Sequence, residues 1–383
     1  MRNARNLSLL VLAGLIALAG TGAAAPAAPA EECGKAPPEG KASCYEKALD
    51  KVLAEQGTEA ALSALERYTK DDPVALREAH PLVHHIGRRS FAFYKDARIA
   101  MSHCKDTFWS GCYHGVLEGY LGSLPEIEPR HVVPLCEDEG NTKRSLFEKY
   151  NCVHGLGHGL TINFQHNVLK SLAFCDALPT DWDRESCYGG VFMEMIVSFQ
   201  NYLRHGSDDH AHHKSFLNPE DPHYPCSALA ERYLRACYLM QSSAILTFSG
   251  FDFAKAFAQC DKAPEAFVTT CYQSMGRDVS GFTLRDVAKT VKLCQLGRQE
   301  RQQDCLTGAV KDFILTHADP ERGLAVCRAL PGEQKAGCYG TVGEMLVSLY
   351  PEAGPRQEAC ARSEPAFVDT CKGTVRIPDQ SDH

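Results

Sequence analysis

Most signatures that give away an enzyme are missing from this chain. It contains no H-E-x-x-H, G-x-S-x-G, G-x-x-x-x-G-K-[ST] or C-x-x-C-H motif. The familiar routes to a zinc protease, an α/β-hydrolase, a phosphate-loop NTPase and a c-type haem protein are therefore excluded. Alternating strand patterns and Asn-Gly hairpin turns are also missing, which argues against a β-sheet fold. No cluster of Lys or Arg occurs, and the net charge is −8. Nucleic acid and anionic membranes are poor partners for such a surface. One E-x-x-H match, Glu128 to His131, lies among Pro125, Pro129 and Pro134 and does not suit a di-iron helix.

The only long apolar run is residues 7–20, too short for a spanning helix. Arg2 and Arg5 precede it, and small residues follow from Thr21 to Ala30. That order reads as a secretory leader, with cleavage expected after Ala23, Ala24 or Ala30. The leader and a short linker occupy residues 1–30. Helical repeats with a distinct chemistry follow over 31–225, then regular repeats over 226–373 and a disordered tail over 374–383. A secreted or periplasmic location follows, with no membrane insertion once the leader is removed.

Cysteine is plentiful, with 18 residues, all after the leader. They fall into nine consecutive pairs: 33/44, 104/112, 136/152, 175/187, 226/237, 260/271, 294/305, 327/338 and 360/371. Six pairs are C-x10-C, and the first cysteines of the last five pairs stand 34, 34, 33 and 33 residues apart. This is an internal repeat with the length of a helix-turn-helix unit. On one straight helix, eleven residues would separate the Cα atoms by roughly 16 Å. A disulfide needs them within about 7 Å. The chain must turn inside each pair, and Pro179, Pro264, Gly297, Pro331 and Pro365 sit where turns are required. Only 226/237 lacks such a breaker, so its pairing is the least secure.

Helical periodicity is plain between the pairs, as in Val287, Val291, Cys294 and in Val342, Leu346, Leu349. The predicted fold is all-α: tandem disulfide-stapled helical hairpins in a solenoid or a closed α/α ring. Tyrosine follows the second cysteine in six of the nine pairs and reads as repeat core.

The early repeats depart from simple packing. Cys112 opens C-Y-H-G-V-L-E-G and Cys152 opens C-V-H-G-L-G-H-G. His114 and Glu118 are thus four apart on one helix face, as are His154 and His158. A weaker copy, L-V-H-H-I-G-R-R, places His84 and Arg88 at the same offsets, and C-Y-G-G-V-F-M-E after Cys187 supplies Glu194. Such pairs suit a divalent metal ion. If every thiol is oxidised, nitrogen and oxygen donors remain, which fits zinc, copper or iron.

The expected ligands are His114, Glu118, His154 and His158. His84 joins only if the array curves tightly, since a flat array would place it roughly 20 Å from His154. Arg88 would then hold an anionic group, and Glu118 or Glu194 would take a proton from metal-bound water. Gly115, Gly119, Gly155 and Gly159 mark places where a backbone or a ligand must come close. A second polar segment, Leu203 to Ser215, crowds His205, Asp208, Asp209, His210, His212 and His213 as a lid or accessory metal loop.

Two functions follow. One is a secreted metalloprotein, with zinc-assisted hydrolysis or copper or iron redox chemistry in the early repeats. The other is a binding scaffold that takes a peptide or small molecule on its concave face, with structural histidines.

Overall fold

The computed structural model describes residues 33–137, 146–205 and 217–374. Helices dominate, and among the described residues there is no sheet, only one isolated bridge between Asn218 and Asp221. No helix among them is long and apolar enough to cross a membrane. The first helices are α1 (Pro38–Gln56), α2 (Thr58–Asp71), α3 (Pro73–Arg77), α4 (Ala79–Tyr94), α5 (Ala97–Ser102) and α6 (Gly111–Gly122). The middle of the chain forms α7 (Pro129–Val132), α8 (Leu146–Asn163), α9 (Val168–Cys175), α10 (Asp181–His205) and α11 (Glu231–Phe248). Regular repeats follow as α12 (Phe253–Cys260), α13 (Glu265–Phe282), α14 (Val287–Cys294) and α15 (Gln302–Leu315). The last are α16 (Pro320–Ala329), α17 (Gly332–Leu349), α18 (Ala353–Ala361) and α19 (Val368–Gly373).

All nine expected disulfides are formed, including Cys226–Cys237, with Cα separations of 5.4–5.8 Å. No cysteine is left free. At 260/271, 294/305 and 327/338 the first cysteine lies at or near the end of a short helix and the second lies in the first half of a long one. Each staple closes a short loop and stabilises by about 3 kcal/mol, chiefly by restricting the unfolded chain.

The short helices start alike. Asp96, Asn167, Asp252, Asp286 and Asp319 each accept a backbone N–H from the first turn of α5, α9, α12, α14 or α16. The residue before each cap is left-handed: Lys95, His166, Phe251, Arg285 and Ala318. Each cap stands eight residues before the first cysteine of its pair. The unit is therefore a long helix, a left-handed turn, a capped short helix, and a stapled turn into the next long helix. Five of the six tyrosines, Tyr45, Tyr188, Tyr238, Tyr272 and Tyr339, are buried as expected, while Tyr113 is half-buried. Tyr272 donates to Asp261 at 2.9 Å, and Tyr339 donates to Glu364 at the same distance.

Consecutive long helices pack side by side, α4 on α6, α6 on α8, α8 on α10, and onward through α19. Several contacts are made by glycine against backbone. A Cβ on Gly115 would stand 2.0 Å from the His84 carbonyl, and one on Gly87 would stand 2.1 Å from that of Cys112. Gly157 and Gly190 repeat this reciprocal pair between α8 and α10, as do Gly276 and Gly308 between α13 and α15. At Gly155 and Gly159 the neighbours are the side chains of Leu117 and Leu121. These glycines admit neighbouring protein.

The array also curls back on itself. Phe108 N–H donates to the Thr316 carbonyl at 2.7 Å, and Trp109 Nε1 donates to Asp312 Oδ1 at 2.9 Å. Helices α8 and α17 touch as well.

Gly190→Ala should lower stability by roughly 1–3 kcal/mol or more through overpacking, because its Cβ would meet the His154 carbonyl at 1.9 Å. Gly354→Ala, where nothing lies within 4 Å, should be close to neutral. Thermal melts of the two variants check this, and equal melting points would refute the close-packing account.

Candidate metal centre

Three adjacent helices deliver five imidazoles to one place. Helix α4 carries His80, His84 and Arg88 at successive four-residue steps. Helix α6 carries His114 and Glu118, and α8 carries His154 and His158. Helix α10 adds Glu194 and Ser198 behind them. His84 and His158 come from helices separated by α6, yet their ring centroids are 5.0 Å apart. The tight curvature that His84 required is present. His114 is central, with its centroid 5.1 Å from His84, 5.0 Å from His154 and 5.0 Å from His158. His84, His114, His154, His158, Glu118 and Glu194 are all buried, while His80 is half-buried.

The hydrogen bonds set the tautomers. His80 Nδ1 lies 2.8 Å from the Phe108 carbonyl, which can only accept, so Nδ1 carries the proton. His84 Nδ1 lies 2.6 Å from Glu118 Oε1 and donates to that carboxylate. In neutral rings both Nε2 atoms then bear lone pairs, and these atoms stand 3.0 Å apart. His114 Nδ1 lies 3.3 Å from the same His84 Nε2. The facing Nε2 lone pairs of neutral His80 and His84 repel unless a proton or a metal cation lies between or beside them. About 3.3 Å is the nitrogen–nitrogen edge of a tetrahedron with metal–nitrogen bonds of about 2.0–2.1 Å. His80, His84 and His114 are also one of two groups whose ligand atoms all lie within 4.8 Å of one another; the other is His84, Glu118 and His158. An imidazole that gives its far N–H to a carboxylate or carbonyl is the usual form of a metal-bound histidine.

His158 has the same form. Its Nδ1 is 3.0 Å from Glu194 Oε2, and its buried Nε2 has no hydrogen-bond partner. His114 Nε2 is likewise buried and unpartnered. Such orphaned nitrogens are costly and call for an explanation. The Tyr150 hydroxyl sits 3.2 Å from His154 Nδ1.

Each oxygen of both carboxylates accepts a hydrogen bond. Glu118 Oε2 accepts from Arg88 Nη1 at 2.6 Å while Oε1 holds His84. Glu194 Oε1 accepts from Ser198 at 2.6 Å while Oε2 holds His158. The 2.6 Å spacing of Glu118 and His84 is that of a charge-assisted hydrogen bond. Arg88 lies on Glu118, so its charge is matched inside the protein.

Burial shapes the titration. It holds His80, His114 and His154 well below the usual histidine range, and the neighbouring imidazoles push them further. His158 falls to about 3 for the same two reasons, against an opposing pull from Glu118. Burial pushes Glu118 up, but His84 and Arg88 outweigh it and hold the carboxyl well below its ordinary value. Glu194 rises to about 7, first through burial and then through the charge of Glu118. Neutral imidazoles beside an ionised carboxylate are the protonation states a metal site needs.

One member was missed by sequence reasoning. His80 and His84 are an i, i+4 pair like the other two, but His80 stands next to Pro81 and lacks the preceding cysteine motif. Its position depends on Phe108, Trp109 and Ser110, three consecutive left-handed residues that aim the Phe108 carbonyl. Such backbone is costly and clusters at functional sites. Of the polar segment 203–215, the side chains of His205, Asp208, Asp209, His210, His212 and His213 lie outside the described residues.

The pH dependence has a definite sign. The unfolded chain protonates its histidines below about 6.5, whereas the folded chain resists. Their stabilisation is lost as pH falls from there toward 3, the value of His158. Glu118, with its lowered pKa, acts in the same direction below its ordinary value. Glu194 acts oppositely: its raised pKa favours the fold below about 4.5 and loses that effect as pH rises through about 7. Four histidines outweigh one glutamate, so metal-free protein should lose stability below pH ~6.5 and more steeply below ~4.5. His158→Gln should flatten this profile. Urea denaturation across pH 3–8 tests it, and a profile unchanged by the substitution would refute the assignment.

No family model, no curated protein and no solved structure matches this chain, so its function rests on the geometry of these side chains.

Proposed function

We propose that the protein is a secreted metalloprotein that holds one divalent ion through His80, His84 and His114, with His158 and His154 beside them. One observation carries this reading. His80 Nε2 and His84 Nε2 face each other at 3.0 Å after both rings have given their Nδ1 protons elsewhere. A bound cation turns that repulsion into attraction. All-nitrogen donation with no free thiol suits zinc, copper or iron.

In this reading Glu118 and Glu194 position His84 and His158 by accepting hydrogen bonds from their Nδ1–H groups. Three imidazoles leave a coordination position open. His80 also lines a cavity, so catalysis, whether zinc-assisted hydrolysis or copper or iron redox, would take place on that side. The nine disulfides fit an oxidising compartment, in keeping with the leader at 1–30.

Protein refolded separately with zinc, copper and iron, then dialysed, should retain one ion per chain of the preferred metal. His80→Ala with His84→Ala should abolish retention while all nine disulfides form. Glu118→Gln should weaken affinity by about 10–100-fold, the usual cost of losing a carboxylate behind a ligand. Deleting residues 208–213 should leave affinity unchanged. Metal retained by the double variant, but lost on that deletion, would move the site to the histidine-rich segment. No metal in the wild type would favour the binding-scaffold reading.

A further inference from the structure

The curled array forms a solvent-open cavity of about 650 Å³, within the range of small-molecule sites. Its walls come from the end of α3, the start of α4, the 108–109 turn, and helices α10, α11, α13 and α15. The lining is divided. Met193, Ile196, Val197, Met240 and Leu246 form an apolar side. Phe251 and Phe282 stand at 55% and 58% exposure with ring centroids 6.4 Å apart, giving the cavity an aromatic border open to solvent.

The charged groups do not balance. Arg77, Arg277 and Arg285 line the cavity against only Asp278 and Asp312. Arg277 pairs with Asp278 at 3.1 Å, and Arg285 pairs with Asp312 at 3.1 Å. Both pairs are tied down further: Ser243 donates to Asp278, and Trp109 donates to Asp312. Arg77 has no carboxylate partner among the described residues. Arg77 is exposed to solvent, and among the described lining residues the arginines outnumber the carboxylates by one. A ligand matched to this lining is apolar over most of its length and singly anionic at one end.

We propose that the cavity binds a small monocarboxylate with a long-chain or aromatic body. The body lies along the α10–α11 wall and the carboxylate lies at the Arg77 end, next to His80. The proposal goes beyond the metal reading and shares only His80 with it.

Lauric acid and dodecanol, equal in chain length and different in charge, provide the test by titration calorimetry. Both metal-loaded and chelator-treated full-length protein should be used, with metal content measured on every sample. Laurate should bind one per chain, at least tenfold tighter than dodecanol. Arg77→Gln should remove that preference and leave dodecanol binding as it was. Val197→Trp, which fills the cavity, should weaken both ligands at least tenfold without altering metal content. Gln200→Trp, from the same wall, serves if Val197→Trp fails to fold. Failure of wild type to bind laurate in either metal state would overturn the proposal. So would a filled cavity that binds as wild type does, or equal binding of laurate and dodecanol. Failure of the metal reading would appear separately, as chains without an ion.

Discussion

The close approach of neighbouring long helices at glycine is the constraint on which the rest depends. A glycine Cα can meet the carbonyl of the next helix where any Cβ would overlap it, as at Gly115 on His84 and Gly190 on His154. Each such contact costs helix stability, since glycine is roughly 1 kcal/mol worse than alanine in a helix interior. In return the helices come near enough for side chains to cross a whole intervening helix. His84 reaches His158 past α6 only because α4, α6 and α8 are packed this tightly.

Burial and tautomer selection follow from that packing. Once the rings are enclosed, water cannot satisfy their nitrogens, so each must find a protein partner or face another nitrogen. Glu118, Glu194 and the Phe108 carbonyl each take one Nδ1 proton. What remains is a group of ring nitrogens close enough together to hold a metal ion. The same enclosure lowers the pKa values of His80, His114, His154 and His158, so competition from protons at those rings is weak at neutral pH. The left-handed residues at 108–110 belong to this arrangement: their strain aims a carbonyl at His80, and their backbone ties the early repeats to the end of α15.

The division between repeats has a physical basis. In the regular units the position after C-x holds Gln273, Thr307 or Gly340, and no histidines meet. In the fourth early unit Gly189 occupies that position, and a Cβ there would lie 3.1 Å from His154 Nδ1. The histidine set therefore ends where the next helix makes room for the last ring. The regular units line the cavity that adjoins the cluster.

What the sequence determined by itself was local. The disulfide partners stand only 8 to 16 residues apart, so spacing was enough to pair all nine, and turn residues supported every pair but 226/237. The Asp or Asn cap eight residues before the first cysteine was equally legible, though only the helix starts drew attention to it. The i, i+4 pairs at His114/Glu118 and His154/His158 were visible for the same reason. Tertiary structure alone decided which of these groups meet and how. His80 joins through a carbonyl 28 residues away, and the curl that forms the cavity rests on Trp109 and Asp312, 203 residues apart. The roles of Glu118 and Arg88 also depend on contacts between helices: a pattern of four-residue steps shows which face a side chain shares, but not whether a carboxylate will meet an ion, an imidazole or a guanidinium.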